Sequence, residues 1–168
     1  MIDENMVEDL WPFVLRVYKA KGVQSACLHL QEKFLVDIPI LLFSAWLGQR
    51  AILLDDRTIR QIDSSVFEWR TDIIMVLRQV RQRLKTGPSP APTPATEPLR
   101  DAVKAAELAA ERIELSLMEE IARKMYANSD VDQNTLVTAN LKTVVSHFRN
   151  GPQNDLGEPY LLTIAAAV

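Results

Sequence analysis

The sequence predicts an all-α fold: a six-helix bundle in which the orthogonal N-terminal helices 1 to 3 pack on a long antiparallel hairpin of helices 4 and 5. Apolar residues recur every three or four positions along most of the chain, which is the periodicity of amphipathic helices. One run, residues 38–47, is apolar on every side, as expected of a helix at the centre of a core. A proline-rich segment separates two long periodic stretches, and no strand pattern competes with the helical one.

Helices 1 to 3 follow from spacing and from capping residues. Helix 1 is predicted over about residues 9–20, and Gly22 is placed to cap it in the left-handed conformation. Helix 2 begins at Val23 and carries one apolar stripe, with its charged residues turned outward. Helix 3 begins at Asp37, a good N-cap, and Pro39 falls in its first turn, where a missing N–H costs little.

Helix 4 is predicted from a capping pair and a long apolar stripe. Ser64 and Ser65 are expected to cap it, and its stripe continues at intervals of three and four residues as far as Leu84. Five of the nine prolines then follow within one short segment, a composition that favours an extended, solvated linker. The linker is therefore predicted over 86–97, within a single domain that covers residues 1–168.

The C-terminal half is predicted to hold two further helices and a tail. Thr96 is placed to cap helix 5 and Pro98 to open it, and the apolar residues of this helix keep the rhythm of a bundle seam. Helix 6 follows a polar break at 128–130 and is weaker, because its Thr and Asn residues have low helix propensity. The tail, residues 150–168, ends in an apolar stretch that is expected either to dock on the body or to close a partner's groove.

Length, charge and cysteine content exclude several classes of protein. With 168 residues and 19.0 kDa, the chain is long enough to bury a core without disulfides or a structural metal. Cys27 is the only cysteine, which excludes a disulfide framework or a zinc site of several thiolates and fits a reducing compartment. The net charge of −3 argues against a protein that coats nucleic acid or anionic membranes. The first ten residues carry four acids and no base, unlike a signal peptide, so we expect a cytoplasmic protein.

Motifs that carry common chemistries are absent. The chain has no GxGxxG, GxxxxGK[ST], GxSxG or HExxH, which excludes the familiar phosphate-binding loops, nucleophile elbows and zincin sites. Cys27 and His29 lie about 200° apart around a helix, so they do not pair locally as nucleophile and base. The segment 130–134 opens like a calcium loop, but Thr135 and Leu141 stand where glycine and a bidentate glutamate belong. No catalytic residue, metal ligand or cofactor is assigned, which leaves enzymatic activity open and favours a non-enzymatic protein.

Helices 4 and 5 each carry a ridge of like charges. The basic ridge and the acidic ridge consist, respectively, of Arg78, Arg81 and Lys85 and of Glu107, Glu111 and Glu114. An antiparallel hairpin would pair the two ridges, and like charges four residues apart repel unless a counter-charge is near. The basic ridge alternatively forms a solvated face or a docking surface for a partner. Nucleic acid is an unsuitable partner, because the ridge has few bases and no interleaved aromatic residues.

A distinctive order of aromatic, apolar and polar residues runs through helices 1 to 4: Trp11-x-Phe13, Tyr18, Gly22-Val23, Cys27-Leu28-x-Leu30-Gln31-Glu32, Asp37, Leu41-Leu42-Phe43, Trp46-Leu47, Trp69-Arg70 and Leu77-Arg78. This order resembles that of a family of small bacterial conserved hypothetical proteins of unknown function, closely over about residues 10–50 and loosely over about 65–125. The segment 37–40 departs from the usual pattern. The resemblance implies a helical fold in a bacterial cytoplasm and carries no assigned activity.

Three polar residues of the resembling segment are candidates for a small-ligand pocket: Tyr18, Gln31 and Asp37. Each also has a structural interpretation. Asp37 is suited to cap helix 3, and Tyr18 and Gln31 are suited to act as buried hydrogen-bond partners.

Two functions from different classes fit these features. The leading hypothesis is a non-enzymatic cytoplasmic module that binds another protein or a second copy of itself, because the chain has a long amphipathic hairpin, two charge ridges and an apolar tail. The alternative is a small-molecule-binding enzyme or sensor with a pocket between helices 1 to 3. A concave pocket that joins the polar candidates would favour the alternative, and a sealed apolar core would remove it. Nucleic acid, membrane and metal are not expected as partners.

Overall fold

A computed structural model describes residues 8–149 and 155–168, and every regular element in these ranges is helical. The elements are α1 (Leu10–Lys19), α2 (Val23–Phe34), α3 (Ile38–Gln49), α4 (Asp56–Trp69), a π-helical turn (Arg70–Ile74), α5 (Met75–Thr86), α6 (Glu97–Ala122), α7 (Gln133–Phe148) and α8 (Glu158–Ala165). Because α4, the π-helical turn and α5 are continuous, the described residues form seven continuous helices. The all-α prediction is confirmed, but the predicted number of six helices is too low because the end of the chain forms α8.

The fourth predicted helix begins a full two turns earlier than the sequence indicated. Asp55, rather than the serine pair, caps α4, and its Oδ1 accepts a hydrogen bond from the backbone N–H of Thr58 at 2.7 Å. Ser65 lies inside the helix and donates its hydroxyl to the carbonyl of Ile62. The early turns are rich in charged residues, and only Ile59 and Ile62 reach the core from them, so their apolar signal is sparse.

Helix α3 forms the centre of the core. Asp37 caps it by accepting a hydrogen bond from the N–H of Ile40 at 2.9 Å, and all residues from Pro39 to Gly48 are buried. Helix α7 packs directly along α3. A Cβ on Gly48 would lie only 2.7 Å from the backbone nitrogen of Val137, so the close approach of the two helices requires glycine at this position.

The end of the chain lies on the body of the protein. Helix α8 packs against α2 and α7, where Leu161 and Ile164 are fully buried. The ring of Tyr160 stacks on His29 of α2 with 3.9 Å between centroids. Residues 150–154 of the predicted tail, and the first seven residues of the acidic N-terminus, lie outside the described residues.

Helices α5 and α6 form an antiparallel helical hairpin, and turns and bends at residues 87–96 join the two helices. At the base of the hairpin, the indole N–H of Trp69 donates to the carbonyl of Ala110 at 3.0 Å. No residue of α5 is fully buried. Within the described residues, no helix combines the length and the apolarity needed to cross a membrane.

Candidate functional site: a cavity between α1–α3 and the hairpin

A cavity of about 720 Å³ lies between the N-terminal helices and the hairpin of α5 and α6. Its apolar lining comes mainly from α1, α2, α3 and α6: Trp11, Val14, Leu15, Leu28, Ile38, Pro39, Leu42, Leu108 and Leu115. Two of these side chains, Leu28 and Leu108, are 46% and 51% exposed. The cavity therefore presents apolar surface to solvent between two packed layers of helix.

The hairpin side of the cavity also carries ion pairs that join α5 to α6. Arg78 donates from Nε to Glu107 at 2.9 Å and from Nη2 to Glu111 at 3.0 Å. Arg81 donates from Nε and Nη2 to the two carboxylate oxygens of Glu107. Burial acts to raise the pKa of Glu107, but the hydrogen bonds from Arg81 and Arg78 outweigh it and hold that pKa below its ordinary value. Glu107 is therefore an ionised carboxylate that clamps the hairpin.

Two of the three polar candidates, Tyr18 and Gln31, line the cavity, together with Cys27 and Gln24. Burial raises the pKa of Tyr18, and the nearby Cys27 and Glu111 act in the same direction. Cys27 is fully buried, and its burial raises the pKa of the thiol to about 12. The side chain is therefore a neutral thiol near pH 7, without the thiolate that nucleophilic chemistry needs.

The third candidate, Asp37, does not line the cavity but joins a chain of buried polar groups behind it. Its Oδ2 lies 3.9 Å from Nε of Arg70, whose Nη1 lies 2.6 Å from Oδ1 of Asp63. The second contact is close in distance but is not aligned as a hydrogen bond. Oδ2 of Asp63 lies 2.8 Å from Nε2 of His147, and the guanidinium of Arg70 lies 5.4 Å from the ring centroid of Phe148. The π-helical turn thus begins with an arginine held in the protein interior.

Glu114 lies in the same interior region and has no hydrogen-bond partner. The residue is fully buried, and neither carboxyl oxygen is bonded. Burial, reinforced by the negative charge of Asp37, raises the pKa of Glu114 to about 9, against the opposing influence of Arg70. Burial also raises the pKa of Asp37 itself, opposed by its hydrogen bond to Ile40 and by Arg70. Glu114 is therefore a neutral acid near pH 7.

The structure distributes the two charge ridges differently from one another. Arg78 and Arg81 of the basic ridge contact the acidic ridge and line the cavity, whereas Lys85 lies beyond the lining. Glu114 of the acidic ridge turns into the protein interior. Within the described residues, no group of three His, Cys, Asp or Glu side chains is arranged to hold a metal ion.

Sequence reasoning missed two residues of this region. Trp11 is not among the three polar candidates, yet it lines the cavity with Leu15 and Tyr18. The spacing of these three residues is i, i+4, i+7, which indicates a second apolar face on α1. Arg70 carries no such signal, because a charged residue after Trp69 is ordinarily placed in solvent.

Residues 9–118 match the family described as "Protein of unknown function (DUF2390)", and the chain belongs to this family. The match confirms the prediction of an uncharacterised family. No curated protein and no solved structure matches the chain. Every residue that lines the cavity, from Trp11 to Leu115, falls inside the matched range, whereas α7 and α8 lie outside it.

Proposed function

We propose that this member of an uncharacterised family binds a small amphiphilic molecule in the cavity between α1–α3 and the hairpin. The observation that carries the proposal is a cavity of about 720 Å³ whose lining combines apolar side chains with the paired charges of α5 and α6. Pockets for small molecules typically measure roughly 300–1,000 Å³ and combine an apolar lining with a few placed polar groups. The location of the whole cavity within the family match supports this choice.

Exposed apolar side chains at the cavity supply a driving force for binding. Leu28 and Leu108 each leave about half of their surface in water. Covering apolar surface is worth about 25 cal/mol per Å², so a ligand that spans both leucines gains from their burial. Tyr18, Gln24 and Gln31 supply hydrogen-bonding groups that orient such a ligand.

The state of the thiol supports a binding or sensing role. Cys27 is buried and its pKa lies near 12, so it offers no thiolate to a substrate near pH 7. A single, unpaired cysteine also suits the reducing environment of a bacterial cytoplasm, where we place this function.

The test of this proposal is a ligand screen with a cavity-filling variant. Thermal shift against a library of amphiphilic metabolites should identify compounds that raise the melting temperature, because a ligand that binds only the folded state stabilises it. Leu108→Trp should weaken those shifts by filling the cavity. Leu117→Trp is the matched control, since Leu117 is an exposed leucine of α6 that does not line the cavity. Equal binding by both variants, or no stabilising compound, would overturn the proposal.

Self-association is the second candidate function, and a separate surface favours it. The hairpin and its base expose apolar side chains in helical spacing. They are Ile73, Val76 and Val80 on the π-helical turn and α5, and Ile113 and Leu117 on α6. The internal pairing of Arg78 and Arg81 weighs against the basic ridge as the docking surface. Sedimentation equilibrium should then show a dimer that Val80→Glu dissociates, and a monomer at all concentrations would exclude this candidate.

A further inference from the structure

We infer that the ligand of the cavity is an organic cation, an amine or a related base whose charged nitrogen lies against Glu111 and whose apolar body covers α1 and α2. This inference rests on the proposed function, the binding of a small molecule in the cavity. It adds the sign of the ligand's charge and the residue that recognises it.

The balance of charge around the cavity is the first argument. On the hairpin side of the cavity and among the buried polar groups around Arg70, the described residues carry more carboxyl groups than guanidinium groups. The carboxyl groups are those of Asp37, Asp63, Glu107, Glu111 and Glu114, and the guanidinium groups are those of Arg70, Arg78 and Arg81. Asp101 and Lys104 also line the cavity and add one charge of each sign. Because Glu114 is neutral, His147 lies against Asp63 and Arg112 lies over Trp11, the charges of the region nearly balance. The sign of the ligand therefore depends on which charged group at the cavity has bonding capacity left.

The state of the two arginines at the cavity is the second argument. Arg78 and Arg81 already donate to Glu107, which is buried, and Arg78 also donates to Glu111. Lys104, the remaining cation of the lining, is exposed to solvent. An anionic ligand at the two arginines would have to displace Glu107 and leave its carboxylate buried without a partner. That outcome is unfavourable, because an unpaired buried charge costs several kcal/mol.

Glu111 is the carboxylate that remains available to a ligand. Only its Oε1 accepts a hydrogen bond within the described part of the chain, from Arg78. Its side chain is 25% exposed where it lines the cavity. Burial raises its pKa, opposed by Arg78 and reinforced by Glu107 and Asp37, so the carboxylate is under-compensated by its surroundings. A ligand cation placed against Oε2 supplies the missing charge.

The buried neighbour Glu114 does not compete with Glu111 for the charge of the ligand. Both of its oxygens are unpartnered in a fully buried position, one turn along α6 from Glu111. A buried carboxyl without a counter-ion remains protonated, which is the state that burial and Asp37 impose here. The neutral Glu114 adds no charge to the region, so the cation of the ligand is matched to Glu111.

Aromatic rings at the cavity suit an organic cation. Trp11 and Tyr18 both line it, and aromatic faces attract ammonium and guanidinium groups. Trp11 already has the guanidinium of Arg112 at 5.0 Å from its ring centroid. The ring is thus placed where a cation contacts it in this protein.

The experiment compares three probes that share one apolar chain: octylamine, octanol and octanoate. Each is titrated into the full-length protein at pH 7 by calorimetry, below the concentration at which it forms micelles. We expect octylamine to bind about tenfold more tightly than octanoate, a difference that one ion pair in a partly buried site supplies. Glu111→Gln should remove this preference while octanol binding stays unchanged.

Two further variants make the result specific. Glu111→Asp keeps the charge and should retain most of the preference for the amine. Glu119→Gln removes one charge from the same helix at a residue that does not line the cavity, so it should behave as the unmodified protein. If Glu111→Gln fails to fold, as judged by circular dichroism, the comparison of Glu111→Asp with Glu119→Gln and of the three probes on the unmodified protein still tests the inference.

The failures of the two proposals are distinguishable. Octanol or octanoate binding as tightly as octylamine, with loss of binding in Leu108→Trp, would overturn the cationic ligand and leave the cavity as a binding site. If Glu111→Gln leaves the affinity for octylamine unchanged, the role of Glu111 is overturned. Failure of all three probes to bind, or binding that Leu108→Trp leaves unchanged, would overturn the proposed function and this inference together.

Discussion

Replacement of Glu114 by glutamine is expected to stabilise the protein near neutral pH. Glu114 is fully buried with both carboxyl oxygens unbonded, and its pKa is raised to about 9 from the ordinary 4.5. Between pH 4.5 and about pH 9, Glu114 keeps a proton in the folded state that it releases in the unfolded state. The stability associated with this proton is complete below pH 4.5 and is lost as the pH rises towards 9.

The size of the effect follows from the two pKa values. A pH of 7 is 2.5 pH units above the pKa of 4.5 that the carboxyl group has in the unfolded state. Each pH unit is worth about 1.4 kcal/mol. Keeping Glu114 protonated therefore costs about 3 kcal/mol at pH 7. Glutamine is neutral and nearly isosteric, so Glu114→Gln should gain this amount at pH 7 and nothing below pH 4.5.

Urea unfolding at several pH values between 4.5 and 8.5 measures the difference. The gap in unfolding free energy between Glu114→Gln and the unmodified protein should widen steadily with pH. Glu119→Gln, a partly exposed acid of the same helix, should show no such widening. If Glu114→Gln is equally or less stable at pH 7, Glu114 is not a neutral buried acid and the reasoning is refuted.

Three further outcomes are expected elsewhere in the molecule. The buried amide of Asn140 makes hydrogen bonds to three backbone groups of α3 and the segment after it. Asn140→Leu should lower the unfolding free energy by about 3 kcal/mol in urea titrations, because those backbone groups lose their partner. An unchanged unfolding free energy would contradict this role. Cys27, buried with its pKa near 12, should react with a thiol reagent only as the protein unfolds; rapid labelling of the native protein would contradict its burial. Arg81→Glu and Glu107→Arg should each destabilise the folded protein by about 2 kcal/mol, and the double variant should recover part of that loss. Additive losses in thermal melts would show that the two residues do not interact.

Capping and spacing explain which helices were predictable. Asp37 caps α3 through a local hydrogen bond. Gly22 takes the predicted left-handed φ, 83°, but as the N-cap of α2 rather than the cap of helix 1, because Ala20 already caps the end of α1. Both depend on residues within one turn, so the sequence alone indicates them. The start of α4 was wrong, because Asp55 and the serine pair are equally good caps and the sparse apolar residues between them did not distinguish the two.

The candidate site was only partly predictable, because a cavity depends on how helices pack. Tyr18 and Gln31 were selected as polar residues among apolar ones, and they line the cavity. The expected pocket lay between helices 1 to 3 alone, whereas the actual cavity has its second wall on the hairpin. Glu114 belongs to the acidic ridge that the hairpin is expected to pair with the basic ridge, whereas its burial depends on α6 packing over α3 and α4.

The sequence by itself determined the all-α class, the central place of α3 and the opposite charges on the two helices of the hairpin. Those features are local, since they depend on periodicity and on the signs of neighbouring residues. Only the tertiary structure decided that Arg78 pairs with Glu111 at the edge of a cavity and that Glu114 remains unpaired. Electrostatic environment depends on distance and burial between distant segments, and helical periodicity specifies which residues share a face but not what that face meets.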